Sequence, residues 1–385
     1  MINLVYFDNA ATTVVDDAVL EVIKQGFVQS YANPSALYRE GQKARKAIEQ
    51  ARKITAGALG CVPDEVYFTA TGTEANNLAV FGAARARANF GNELVITGYE
   101  HPSLAATAMS LKDEGFIVHV VDPGTNGKIN PEEILLKVNR KTALVAVMQV
   151  NNETGAVINV CELSEEVKKI NHRTAFHCDM VQGFMKYPID VKSTGIDTAA
   201  ISAHKIHGPK GIGAMYVRKE FNIKPVIFGG GQERGLRSGT ENVVFAMAFA
   251  KAIEVFDTKR SSFSHVASLN AYAREKLLSI KDVIINSPAD ASVFILNFSL
   301  PGFQSETLMR YLDAEGVMVS SGSTCSKGAS SHTLVSMGLD RDRVDSAIRI
   351  SFSKNNSKED IDVLTGLLEK AKEKIIRKAY KKQAV

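Results

Sequence analysis

The chain has 385 residues, 45% hydrophobic and 23% charged, and its 46 lysines and arginines against 42 aspartates and glutamates leave a net charge of +4. That length exceeds the roughly 250–300 residues at which one core stops growing, so two units are expected; the composition excludes a disordered chain, and the small charge excludes a surface built as a whole for nucleic acid. No basic-then-apolar leader opens the sequence, the apolar run at 243–250 is far too short to cross a bilayer, and four scattered cysteines without a C-x-x-C pair argue against a disulfide framework or zinc site, so a soluble cytoplasmic protein is expected.

In chain order, Val5-Tyr-Phe reads as a short strand before a polar turn, and Asp16 caps a helix reaching Gln29. Asn33-Pro-Ser breaks the chain, and a long amphipathic helix follows over 38–59, closed by Gly60. Seven strands are then predicted, at 66–69, 94–97, 116–121, 143–150, 175–179, 198–202 and 214–217, with helices opening after Thr73 and at His101 and others over 131–138 and 162–171. Strands alternating with helices imply an α/β fold whose mostly parallel sheet is covered on both faces and gathers ligands at its strands' carboxyl ends.

After a helix over 240–256 the rhythm changes at 257–262. A helix over 263–280, strands at 283–286 and 293–299, a helix over 305–315, a loop at 320–331, a strand at 348–352 and a helix from Lys358 complete the chain. The expected division is a large domain over 15–257 and a smaller α+β domain made of 1–14 and 258–385. Seven basic and two acidic residues over 369–382 read as the exposed face of the last helix or as a docking patch for an acidic partner.

The polar residues that could carry chemistry fall at strand ends. Thr71-Gly-Thr-Glu opens a helix, either as a plain cap or as a cradle of N–H groups for a phosphate. His101 starts another helix, and Asn151-Asn-Glu153 follows a strand as a turn or as a polar contact. Asp179 with Gln182 ends the 175–179 strand; the carboxylate caps a turn or pairs with a ring nitrogen. Lys205, in Ser202-Ala-His-Lys, is a solvated loop charge or an amine placed for a Schiff base. Singly, each has an ordinary explanation. Together they match what pyridoxal phosphate needs.

The chain resembles the cysteine desulfurases of the NifS/IscS type, within the class V aminotransferase-like group of pyridoxal-phosphate enzymes. The resemblance rests on Tyr6-Phe-Asp-Asn-Ala-Ala-Thr-Thr, Asn33-Pro-Ser, Glu100-His101, Val150-Asn-Asn-Glu and Ser202-Ala-His-Lys-Ile-His-Gly-Pro-Lys-Gly. It continues through Gly229-Gly-Gly-Gln-Glu-Arg-Gly-Leu-Arg-Ser-Gly-Thr240, Ser320-Ser-Gly-Ser-Thr-Cys325 and Ile348-Arg-Ile-Ser. It implies the pyridoxal-phosphate transferase fold type I. It implies Lys205 as Schiff-base lysine and proton shuttle, Asp179 on the ring nitrogen, His101 stacked on the ring and Gln182 donating to the ring oxygen. Gly72, Thr73, Ser202 and His204 hold the phosphate, with Thr240 reaching it across a homodimer interface. Asn152 lies beside ring and substrate; Arg349 clamps the substrate carboxylate with Asn33 as helper.

Cys325 is the implied nucleophile, taking sulfur from L-cysteine as a persulfide, leaving L-alanine, and passing the sulfur to an iron–sulfur scaffold or a tRNA-thiolating enzyme. It is also a possible transient iron–sulfur ligand; no other metal is implied. The segment after Cys325 is shorter than in many relatives and lacks their Glu-Pro. The alternatives are a selenocysteine lyase, another class V lyase or aminotransferase, and a non-catalytic scaffold of sulfur metabolism.

Overall fold

A computed structural model describes residues 4–258, 261–321 and 330–375. The amino-terminal elements are β1 (Val5–Tyr6), α1 (Asp17–Gln29) and α2 (Arg39–Leu59). An alternating series follows: β2 (Val66–Thr69), α3 (Gly72–Arg87), β3 (Glu93–Thr97), α4 (Pro102–Ser110), β4 (Ile117–Val121), α5 (Pro131–Lys137), β5 (Thr142–Met148), α6 (Val160–Ile170), β6 (Ala175–Asp179), β7 (Thr198–Ser202) and β8 (Gly213–Val217). The remainder comprises α7 (Val243–Thr258), α8 (Ser261–Ser279), β9 (Ile284–Ile285), β10 (Ile295–Ser299), α9 (Ser305–Ala314), β11 (Val317–Met318), α10 (His332–Ser336), α11 (Arg341–Asp345), β12 (Ala347–Ser351) and α12 (Lys358–Lys374).

The caps read from the sequence are in place. Asp16 accepts from the Ala18 N–H at the start of α1, and Gly60 closes α2 with φ 73°, a left-handed conformation that suits glycine.

The main sheet has seven strands in the order β2-β8-β7-β6-β5-β3-β4. Pairing is parallel from β7 through β4, and only β8 runs against its neighbours. Because helices cover both faces, the strand residues alternate between two cores rather than between core and water. Val145, Val147, Phe176, Cys178 and Ile201 pack with α2 and α7 on one face. Leu144, Ala146, Ala175, Ala200 and Met215 pack with α3 and α4 on the other. Parallel pairing of these neighbours places the carboxyl ends of β3, β5, β6 and β7 side by side.

A separate core forms around the antiparallel sheet β12-β10-β9, with Leu308, Leu312, Leu364 and Leu368 from α9 and α12. Val5, Phe7 and Ala10 belong to that core, where β1 pairs in parallel with β11. Three elements differ from the sequence reading: the two-residue strand β11 and the one-turn helices α10 and α11 are too short to show a period. Their ends are instead fixed locally, by the Ser331 and Asp340 side chains capping α10 and α11. Among the described residues Cys61, Cys161 and Cys178 are free; only Cys178 is fully buried, and Cys61 and Cys161 sit half-buried. No helix among the described residues is long and apolar enough to cross a membrane.

The amino-terminal segment ties the two cores together. Asn9 Nδ2 donates to the Ser351 carbonyl at 2.8 Å, and the Ala10 N–H donates to Ser351 Oγ at 2.8 Å. On the other side the Thr13 N–H donates to the His204 carbonyl at 2.9 Å, and the His207 N–H donates to Thr13 Oγ1 at 2.8 Å.

Candidate active site

One cavity of about 670 Å³ opens at the carboxyl ends of β3, β5, β6 and β7. Gly72, Thr73, His101, Asn152, Asp179, Gln182, Ser202, His204, Lys205 and Arg349 all line it. Residues scattered over nearly the whole sequence therefore converge on one space, because parallel strands end on one edge.

Lys205 follows β7 in a single tight turn, and its Nζ donates to the carbonyls of Ala10 at 2.5 Å and Ala11 at 2.7 Å. Burial, reinforced by the Arg349 and Lys186 cations, pulls its ammonium down to about 7, although Asp8 and Asp179 oppose this. The amine is thus substantially neutral near physiological pH, as a nucleophile or proton acceptor must be.

Asp179 both caps and faces the cavity. Its Oδ1 accepts from the Val181 N–H at 2.9 Å and its Oδ2 from Asn76 Nδ2 at 2.7 Å. His101 likewise keeps its capping role: Nδ1 accepts from the Ser103 N–H at 3.1 Å at the start of α4. Burial lowers its pKa, with Lys205 in the same direction and Asp179 against. Burial, then Lys205 and the cations beyond it, pulls the His204 imidazolium down to about 3.

At α3 the Thr71 hydroxyl accepts from the Glu74 N–H at 3.0 Å, and the first-turn residues Gly72 and Thr73 line the cavity. A Cβ at Gly72 would come within 2.8 Å of Val181 Cγ2, so a larger residue could not present its backbone here.

Arg349, on β12, is buried, with Nη1 donating to the Asn152 carbonyl at 2.8 Å and Nη2 to Asp8 Oδ1 at 2.7 Å. The guanidinium read as a substrate clamp therefore already shares its fork with an internal carboxylate, while its buried Nε has no partner among the described residues. Gln182 differs from expectation in the same way. Its Nε2 donates to the Ala10 carbonyl at 2.8 Å, and its buried Oε1 has no partner among the described residues. Asn33 and Thr240 are both exposed and do not line the cavity; Asn33 Oδ1 accepts from the Ser35 N–H in its own turn. Cys325 lies outside the described residues.

The sequence reading gave no role to Asp8, Asn76, Glu100, Ser103 or Glu153. Asn76 was findable: it stands one turn beyond Gly72, on the same face of α3. Glu153 is buried and accepts from the hydroxyls of Ser331 at 2.5 Å and Thr333 at 3.1 Å, tying the Asn-Asn-Glu turn to the start of α10. Glu100 is buried, with Oε1 accepting from the Thr97 hydroxyl and the Met148 N–H and Oε2 without a partner among the described residues.

Burial pushes the Glu100 carboxyl from 4.5 up to about 8. The folded chain keeps this proton up to about pH 8 while the unfolded chain loses it from 4.5, so folding takes up a proton across that window. The contribution of Glu100 to stability accordingly falls as pH rises through the window and is flat above it. Glu100→Gln removes the slope, so its stability margin over the parent chain, read as a denaturant midpoint, should be larger at about pH 8.5 than at about pH 5. An equal margin at both values would show that Glu100 is not protonated in the fold.

The aminotransferase class-V family pattern matches residues 5–364. The cysteine desulfurase IscS of Clostridium botulinum (strain Hall) is 37% identical over 373 residues, 95% of this chain and 94% of its own. Among solved structures, a NifS-like protein superposes with a TM-score of 0.92 at 35% identity, covering 97% of this chain and 100% of its own. SspA in complex with cysteine superposes with a TM-score of 0.81 at 34% identity, covering 91% and 99%. A match that spans both cores and every strand bordering the cavity leaves one conclusion: the chain belongs to the class V aminotransferase family, within its cysteine desulfurase group.

Proposed function

We propose that the chain is a pyridoxal-phosphate-dependent L-cysteine desulfurase that releases L-alanine and keeps the sulfur as a persulfide on Cys325. The observation that carries this reading is the meeting of Lys205, Asp179, His101 and Arg349 around one cavity. The cysteine desulfurase relatives support it. The residues present suit the cofactor. Gly72 and Thr73 offer backbone N–H groups, and Ser202 and His204 offer side-chain donors, for its phosphate. Buried Gln182 Oε1 and Arg349 Nε have hydrogen-bonding capacity to spare.

When bound, pyridoxal phosphate supplies an electron sink for the carbon that bears the substrate amino group. Asp179 would hold a proton at the ring nitrogen, and His101 would border the ring. Lys205 would hold the cofactor through its Nζ and would take the substrate α-proton, which its lowered pKa permits. Arg349 binds the substrate carboxylate, exchanging contacts with Asp8, and Asn152 borders the substrate. The Cys325 thiolate attacks the substrate sulfur: a sulfur–sulfur bond forms, the carbon–sulfur bond breaks, and its electron pair ends on the carbon that becomes the alanine methyl.

Replacing Cys325 by alanine should abolish persulfide on the chain and cut sulfide release, while visible cofactor absorbance persists. Full sulfide release from Cys325→Ala chain would refute the persulfide role, and a chain that takes up no pyridoxal phosphate would refute the whole reading.

The remaining assignments have narrower support. Separate cores support a cofactor-binding domain over 15–257 and a second domain from 1–14 and 258–385. Exposed Phe27, Val28, Tyr31, Leu37, Tyr38 and Phe228, with Thr240 exposed, support a homodimer in which Thr240 completes the partner's phosphate site; a cytoplasmic location belongs to the same reading. The acceptor of the persulfide is a scaffold protein for iron–sulfur assembly or a tRNA-thiolating enzyme.

A further inference from the structure

We infer that Asn76 is a positioning residue that sets two cavity groups at once: it holds the Asp179 carboxylate toward the cavity and, through Ser103, fixes His101 with its proton on Nε2. The inference rests on the cofactor reading for its purpose, though not for its geometry.

Asn76 is 1% exposed. Its Nδ2 donates to Asp179 Oδ2 at 2.7 Å and to Ser103 Oγ at 2.9 Å, using both amide hydrogens. Reversing the amide would set a carbonyl oxygen against a carboxylate oxygen at the same distance, two acceptors with no proton between them. The carboxylate therefore dictates which way the amide points.

That choice propagates in both directions. Behind Asn76, its Oδ1 lies 3.0 Å from Nε2 of buried His177, so this nitrogen must carry the hydrogen. His177 is neutral, since burial draws its pKa to about 4. Its Nδ1 is then an acceptor and takes the Thr198 hydroxyl proton across 2.9 Å. Toward the cavity, Ser103 Oγ accepts from Asn76 and keeps its own hydrogen for His101 Nδ1 at 2.7 Å, a nitrogen that the Ser103 backbone N–H, which can only donate, marks as the acceptor. The Ser103 N–H aims at the same nitrogen from 3.1 Å. With two donors directed at it, His101 Nδ1 has no room for a proton, and the neutral ring carries its hydrogen on Nε2. The charged groups facing this ring are Asp179, which favours the imidazolium, and Lys205, which opposes it. The purpose is a neutral, fixed ring beside a cationic pyridine.

Nitrogen-15 NMR of histidine-labelled full-length chain, without added cofactor, tests this through the imidazole coupling pattern. The parent chain should show His101 as the Nε2–H tautomer. Asn76→Leu keeps the volume and frees the Ser103 hydroxyl, and Ser103→Ala removes it. In both, the tautomers should mix and the protonation midpoint of His101 should rise by about one pH unit, a tenfold gain in the charged form. After addition of pyridoxal phosphate, the pH dependence of the visible band should shift in Asn76→Leu, which alone releases Asp179, and stay put in Ser103→Ala. An Nδ1–H tautomer in the parent chain, or an unchanged tautomer in Ser103→Ala, overturns the inference even if Asn76→Leu does not fold. Failure to take up cofactor overturns the proposed function instead, and the cofactor-free signals still decide this point.

Discussion

Replacing Lys205 by alanine should lower alanine production from cysteine by roughly 10²–10⁴-fold, the range for removing a positioned acid–base group. Lys205→Arg is the sharper variant. An arginine can still reach the Ala10 and Ala11 carbonyls, but it stays charged at every accessible pH and can neither bond a carbonyl carbon nor accept a proton. Both variants should therefore be equally inactive while keeping near-parental thermal midpoints. A Lys205→Arg chain with more than a small fraction of the parental rate would mean that charge at this point, not a neutral amine, is what the reaction uses.

The largest effect on stability is expected far from the cavity floor. Arg52 on α2 grips Glu233 with two bonds, Nη1 to Oε2 at 2.7 Å and Nη2 to Oε1 at 2.9 Å, and the side chains are only 4% and 1% exposed. The same pair completes the edge of β2: Arg52 Nη1 also donates to the Val66 carbonyl at 2.8 Å, and Glu233 Oε2 accepts from the Phe68 N–H at 2.9 Å. Glu233 and Arg234 hold left-handed backbone, φ 46° and 54°, so this pairing also fixes the turn that leads to Thr240. Arg52→Met strands a buried carboxylate and should cost roughly 3–5 kcal/mol. Adding Glu233→Gln removes the orphaned charge but keeps an acceptor for Phe68, so the double variant should recover part of the loss in urea unfolding. No recovery would mean that the arginine acts mainly through packing against the Phe68 ring, which its guanidinium covers at 5.0 Å.

Much of this architecture is legible in the sequence because it is written locally. The buried strands show as short apolar runs, and Asp16 and Gly60 mark helix ends through their own backbone chemistry. Lys205, Asp179 and His101 stand out because each interrupts an apolar pattern at a strand end. What the sequence hides is pairing between distant residues. Nothing local says that Asp8 meets Arg349, that Asn76 meets Asp179, or that Glu153 meets Thr333. Gln182 shows the same limit: its place at the cavity was readable, yet which of its two amide atoms finds a partner depends on the carbonyl of Ala10. The two-residue strand β11 falls below any period and exists only by pairing with β1. The Cys325 segment carries its meaning in the resemblance alone.

The segment from Phe7 to Thr13 makes the enzyme vulnerable at a single place. It touches Arg349 through Asp8, Lys205 and Gln182 through Ala10, and the His204 backbone through Thr13. A break there would disturb both ligand-gripping ends of the site and, because Phe7 and Ala10 are buried in the smaller core, would loosen that core at the same time. Purification tags therefore belong where they put no strain on this strap.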